Sequence, residues 1–232
     1  MNHTHTLVLM PGLDGTGKLF APIIPFLQPH FNLVIVTYPD LDSFSEYIDC
    51  ARSQLPRTGN FSLLAESFSG PVAMAIMAER TGRIDPSVLS STFARSPLTA
   101  LTRMAAYVPE QMFSIGALSD FCLDVYEVSD EDFSETQPLP LNVTEQLDGV
   151  LLRHRISILS RIDVSALLPK IEIPILYLHG TQDRIVSETD ASILQSYLPD
   201  VNRIDIDAPH LLLQTRPQQS AELIFNHLRA SV

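Results

Sequence analysis

The sequence predicts an α/β domain, a mostly parallel sheet of about six strands with helices on both faces and a small helical insertion. Two observations point there. Short apolar runs alternate with longer amphipathic segments along most of the chain, the pattern of parallel strands joined by covering helices. That rhythm fails once, between Arg95 and Leu168, where no further strand–helix unit is legible. A chain of 232 residues is long enough to bury a core without disulfide or metal staples. The expected organisation is a single domain over 1–232, with its core in 1–94 and 169–232 and an insertion over about 95–168.

The strands are read at Thr6–Met10, Leu33–Thr37, Phe61–Ala65, Val88–Thr92, Pro174–His179 and Arg203–Ile206. Each is a short, mostly apolar run bounded by polar or turn residues. Helices are read at Leu19–Leu27, Ser43–Gln54, Phe68–Glu79, Glu188–Tyr197 and Pro217–Leu228. Pro217 suits a first helical turn, where its missing N–H costs nothing. The break from Arg95 to Leu168 holds four prolines, the acidic stretch Ser129–Thr136 and two apolar segments of helical character. Its apolar content is too high for a disordered linker, so a helical cap is expected.

Composition narrows the function. A net charge of −12 repels a phosphate backbone, so no nucleic-acid partner is expected. No apolar run approaches the ~20 residues of a membrane span, and Leu7–Met10 is too short for a signal core. Cys50 and Cys122 stand in unrelated contexts. They suggest neither a disulfide framework nor a metal site, and fit a reducing, cytoplasmic compartment. His3 and His5 form an H-x-H pair in a polar terminus expected to be disordered, and no metal site is expected of them. Oligomeric state is not legible.

One stretch carries chemistry. In "LLAESFSGPVAMAIMAER" an apolar strand turns abruptly into an Ala- and Met-rich helix, with Ser67 at the corner. Such a corner requires small residues two before and two after the serine; here they are Ala65 and Ser69. The bland alternative is a helix N-cap, the commoner use of a serine in that place. Two distant stretches argue for catalysis. "PILYLHGTQDRIVS" puts Asp183 on a loop at a strand's carboxyl end, and "RIDIDAPHLLLQTRP" does the same for His210. Ligands of parallel sheets bind at that rim. Asp207 is the lesser candidate for the acid.

A serine hydroxyl is a weak nucleophile at neutral pH. A neutral imidazole can take its proton, and a buried carboxylate can hold the imidazole in the needed tautomer. The first loop, "LMPGLDGTGKLF", supplies glycines that turn tightly and expose N–H groups. The Leu13 and Phe68 N–H groups are the candidate oxyanion donors. A phosphate loop is the competing reading of Gly15–Lys18, but Leu19 stands where Ser or Thr is needed. The dinucleotide fingerprint fails at Phe20. Asp14 is expected to brace this loop and Glu66 to hold the corner by a hydrogen bond.

With these residues in view, the chain resembles the α/β-hydrolase superfamily over nearly its whole length. It is most similar to small serine esterase-like members carrying "PGLDGTG…LF", "ESFSGP", "DR-[IV]-V" and "PHLLLQ…P", all present here in order. The resemblance implies Ser67 as nucleophile, Asp183 as acid, His210 as base, a helical cap in the insertion slot, and no cofactor. It departs from the superfamily at Pro11, where a histidine is usual, and at both elbow glycines. The first strand read is Thr6–Met10, so the two leading strands of larger members are expected to be missing.

The expected function is cleavage of a carboxylic ester of a small, largely apolar, uncharged substrate through an acyl-enzyme. Similar motifs occur in plant phytyl-ester synthases, so acyl transfer and thioester cleavage by the same triad remain open. A hydrolase-fold binding protein that turns nothing over is the non-enzymatic alternative. Met104, Tyr107, Met112 and Phe113, in the insertion, are the candidate pocket residues.

Overall fold

The computed structural model describes residues 5–79, 82–97 and 149–229, leaving aside the side chains of 149–153. Among the described residues six strands form one sheet: β1 (Thr6–Met10), β2 (Asn32–Ile35), β3 (Phe61–Glu66), β4 (Ser87–Ser90), β5 (Ile175–Gly180) and β6 (Val201–Ile206). Their order is β2-β1-β3-β4-β5-β6, and every neighbouring pair is parallel. The helices are α1 (Ile24–Leu27), α2 (Phe44–Gln54), α3 (Ser69–Met77), α4 (Gly149–Leu159), α5 (Glu188–Tyr197), α6 (Leu212–Thr215) and α7 (Pro217–Arg229). None of the described helices is long and apolar enough to cross a membrane.

Burial follows sequence character strand by strand. β3, β4 and β5 are buried at every position, and their sequences are near-continuous small and apolar runs. β2 and β6 close the two edges and are mostly part-buried or exposed. Two apolar clusters flank the sheet. One face packs Val8, Leu63 and Tyr177 against Tyr47 of α2, Val72 of α3 and Leu194 of α5. The other packs Leu7, Leu9 and Leu176 against Leu27 of α1 and Ile224 and Leu228 of α7. Parallel strands covered on both faces leave only their ends open for chemistry.

Local signals explain most boundaries. Ser43 caps α2 by accepting from the Glu46 N–H. Ser187 and Asp190 form a reciprocal capping box at α5. The single helix expected over Leu19–Leu27 is instead a 3-10 turn at Lys18–Phe20 followed by the one-turn α1. Pro22 and Pro25 lie within that span, and each lacks the N–H that a continuous helix needs. The strand expected to run to Thr92 stops at Ser90, because Ser91 takes a positive φ of 45°. His5 is not part of a disordered tail: its Nε2 lies 2.8 Å from Ser62 Oγ, and its carbonyl accepts from Asn32 N–H. His3, Cys122 and the acidic stretch 129–136 lie outside the described residues.

Candidate active site

Three loops meet at the carboxyl ends of β3, β5 and β6. Ser67 follows β3 directly and has φ 49°, a left-handed conformation that a non-glycine residue adopts only at a cost. The turn is held from three sides. Ser67 N–H donates to the Ser90 carbonyl (3.0 Å), while the Ser67 carbonyl accepts from Gly70 N–H (3.0 Å) and Thr92 Oγ (2.6 Å). α3 begins immediately after, with no side-chain cap. The serine hydroxyl is therefore not spent on the helix; it points to His210.

Ser67 Oγ lies 2.9 Å from His210 Nε2, and His210 Nδ1 lies 2.8 Å from Asp183 Oδ2. A carboxylate can only accept, so Nδ1 carries the proton and Nε2 is left to accept from Ser67. Asp183 Oδ1 accepts from the Ile185 and Val186 N–H groups at 2.8 and 2.9 Å. Both side chains are buried, Asp183 completely. Burial alone would lower the His210 pKa. The Asp183 charge and hydrogen bond, with a further contribution from the Glu66 charge, outweigh it and raise the pKa above the ordinary value. Asp207 is turned elsewhere, accepting from Gln182 Nε2 at 2.7 Å.

The loops bearing acid and histidine are zipped together by Thr181 N–H to the Ile206 carbonyl and Gln182 N–H to the Ala208 carbonyl. Gly180 allows this approach: a Cβ there would sit 2.5 Å from the Ala208 carbonyl oxygen. His179, buried beneath, donates from Nε2 to the Val186 carbonyl at 3.2 Å and steadies the acid loop.

The first loop passes beside the nucleophile. A Cβ built on Gly12 would lie 3.6 Å from Ser67 Cβ. The Gly12 carbonyl accepts from Gly15 N–H (3.1 Å). Carbonyl and N–H of a trans peptide point opposite ways, so the Leu13 N–H faces away from that turn. Phe68 N–H sits at the start of α3, where the helix dipole favours negative charge. Neither N–H meets a protein acceptor among the described residues. Asp14 accepts from Thr16 N–H and Oγ through one oxygen, as a brace should. Burial, only partly countered by those bonds and by Arg155, raises its pKa.

Sequence reasoning missed several supports. Ser69, standing where a glycine is usual, donates to the Pro11 carbonyl and accepts from Tyr38 O–H, tying the elbow to the first loop. Gln214 donates to both oxygens of buried Glu66, at 3.0 and 3.3 Å. Its signal was present: it follows His210 by four residues. Arg155 of α4 gave no local signal, since its contacts lie more than a hundred positions away. Met104, Tyr107, Met112 and Phe113 lie outside the described residues.

The chain superposes on known structures over nearly its whole length. The chain has the α/β-hydrolase fold. The enol-lactonase from Burkholderia xenovorans LB400 superposes with a TM-score of 0.80 at 18% identity, covering 99% of this chain and 94% of the lactonase. The esterase RhEst1 from Rhodococcus sp. ECU1013 gives 0.80 at 18% identity over 100% and 93%. A thermophilic esterase from Thermogutta terrifontis gives 0.72 at 19% identity over 98% and 90%. No protein-family model matches the sequence.

Proposed function

We propose that this protein is a serine hydrolase that cleaves a carboxylic ester through an acyl-enzyme. One observation carries the proposal: His210 lies within hydrogen-bond distance of Ser67 on one side and of buried Asp183 on the other. In the account that follows, Ser67 Oγ attacks the ester carbonyl while its proton passes to His210 Nε2. Asp183 stabilises the imidazolium and keeps its own charge. The Leu13 and Phe68 N–H groups hold the oxyanion. His210 returns the proton to the departing alkoxide, leaving the acyl group on Ser67. It then takes a proton from water, whose oxygen attacks the acyl carbon; the bond to Ser67 breaks, His210 passes that proton to Ser67 Oγ, and the product leaves as the carboxylic acid, which loses its remaining proton to solvent. The likeness to a lactonase and to esterases supports an ester as the substrate class.

The substrate is proposed to be small, uncharged and largely apolar, because the insertion is rich in apolar residues and the chain carries a net charge of −12. The test is kcat/KM over p-nitrophenyl esters from two to twelve acyl carbons, with a succinyl ester as the anionic comparison. Each buried methylene contributes about 0.8 kcal/mol, so the rate should climb from acetyl into short-to-medium chains. A maximum at acetyl, or preference for the anionic ester, contradicts this substrate class. Adding competing alcohols to the same assay separates water from an acceptor alcohol as the second substrate.

A further inference from the structure

The guanidinium of Arg155 is the least expected group in the core. The residue is only 2% exposed, among the largest fully enclosed side chains of the protein. A buried cation without a counter-ion is costly, and is kept only where its donors are well used. Among the described residues they are used without a salt bridge. Nη1 donates to the Leu13 and Asp14 carbonyls at 2.8 and 2.7 Å. Nη2 donates to the Tyr38 and Pro39 carbonyls at 2.9 and 3.2 Å. Nε donates to Tyr47 Oη at 3.2 Å.

These acceptors belong to three elements. Leu13 and Asp14 lie on the loop after β1, Tyr38 and Pro39 on the loop after β2, and Tyr47 on α2. The cation itself comes from α4. The planar fork of the guanidinium meets four carbonyls in fixed directions, which an ammonium cannot do. The loop is shaped to it as well. Gly15 has φ +67°, and a Cβ there would lie 2.5 Å from Arg155 Nη1. Tyr38 also donates to Ser69, so the same network reaches the elbow.

We propose that Arg155 is the positioning residue of the oxyanion hole: by pinning the Leu13 and Asp14 carbonyls it fixes the aim of the Leu13 N–H toward the substrate oxygen that becomes anionic when Ser67 attacks its carbon. The inference rests on the serine-hydrolase reading above. It adds that α4, which leads out of the insertion, is a working part of the site. Arg155 touches no reacting atom. It acts by denying the loop the small rotation that would turn its N–H away. Such preorganisation favours the charge that develops in the transition state and leaves ground-state binding alone.

The experiment compares wild type with Arg155→Lys and Arg155→Gln on p-nitrophenyl butyrate. Misplacing one oxyanion donor costs roughly 10²-fold in kcat, and that loss is expected in both variants, with KM within about threefold of wild type. A purely structural role would instead lower the amount of active enzyme while leaving kcat per fluorophosphonate-titrated site unchanged, so kcat is expressed per titrated site. Should neither variant fold, Arg155→Ala refolded with about 20 mM guanidinium takes their place; added guanidinium is expected to restore kcat at least about tenfold over the same protein without it. A kcat within about threefold of wild type, a loss carried only by KM, or no response to guanidinium overturns the proposal. A wild type that neither labels at Ser67 nor hydrolyses any ester overturns the parent reading instead, so the two failures are distinguishable.

Discussion

Glu66 offers a quantitative test of how the elbow is built. It is the last residue of β3, directly before Ser67, and its carboxyl is entirely buried. Burial raises its pKa from 4.5 to about 7; the Gln214 hydrogen bond opposes this, the Asp14 charge adds to it and the His210 charge opposes it. The sign follows from linkage. Between these two values the folded protein holds a proton that the unfolded chain has released, so the stabilisation is full below about pH 4.5 and fades as pH rises through about 7. At about 1.4 kcal/mol per pH unit the gap amounts to about 3 kcal/mol, of which about 2.5 kcal/mol falls between pH 5 and pH 8. Glu66→Gln removes the titration and keeps one oxygen to accept from Gln214. The assay is thermal unfolding of both proteins at pH 5 and pH 8. From pH 5 to pH 8 the variant should gain on wild type by about 5 °C, taking about 2 °C per kcal/mol for a chain of this length. A difference between the two proteins that is the same at both pH values refutes the reasoning.

Other outcomes follow from the same geometry. The acid limb of kcat/KM should lie above the ordinary histidine value of ~6.5, since His210 must be neutral to accept the Ser67 proton and its pKa is raised. Glu66→Gln should move that limb to lower pH by removing one of the charges that raise it; a pH–rate profile of both proteins checks this. Asp183→Asn should cut kcat by roughly 10⁴ by releasing the imidazole tautomer, while Asp207→Asn, whose carboxylate meets Gln182, should leave kcat nearly unchanged. The reverse ranking would mean that the wrong acid has been named. Gly180→Ala should impair folding or kcat severely, because its Cβ would overlap the Ala208 carbonyl beneath His210; unfolding curves and turnover together report it.

The sheet was legible because its central strands are short apolar runs with loops between them. Ser67, Asp183 and His210 were legible because each follows such a run, and parallel pairing puts all those ends on one rim. Edges were read less well. The expected strand at Arg203 begins two residues earlier, at Val201, on an edge strand that is mostly part-buried or exposed and carries a weaker apolar signal. Leu19–Leu27 has the apolar spacing of a helix, but its prolines split it, and backbone chemistry overrode side-chain pattern. Arg155 could not be read at all. It sits in "RHR", an ordinary solvated charge run by composition, and only the tertiary fold brings it to carbonyls 117 and 142 positions away. The hydroxyl of Ser69 was read merely as small, whereas the fold uses it to bind the Pro11 carbonyl. Spacing finds residues that share a strand end; it does not find those that reach across elements.

The central claim is that Ser67 is a nucleophile activated by His210, and trapping it is the most direct test. Wild-type protein, Ser67→Ala and His210→Ala would each be treated with a fluorophosphonate at neutral pH and analysed by intact mass and peptide mapping. One adduct per wild-type chain is expected, on Ser67, forming at a rate that falls by roughly 10³ or more in His210→Ala, with none in Ser67→Ala. Labelling of Ser67→Ala at the wild-type rate, or an adduct mapped to any other residue, would contradict it.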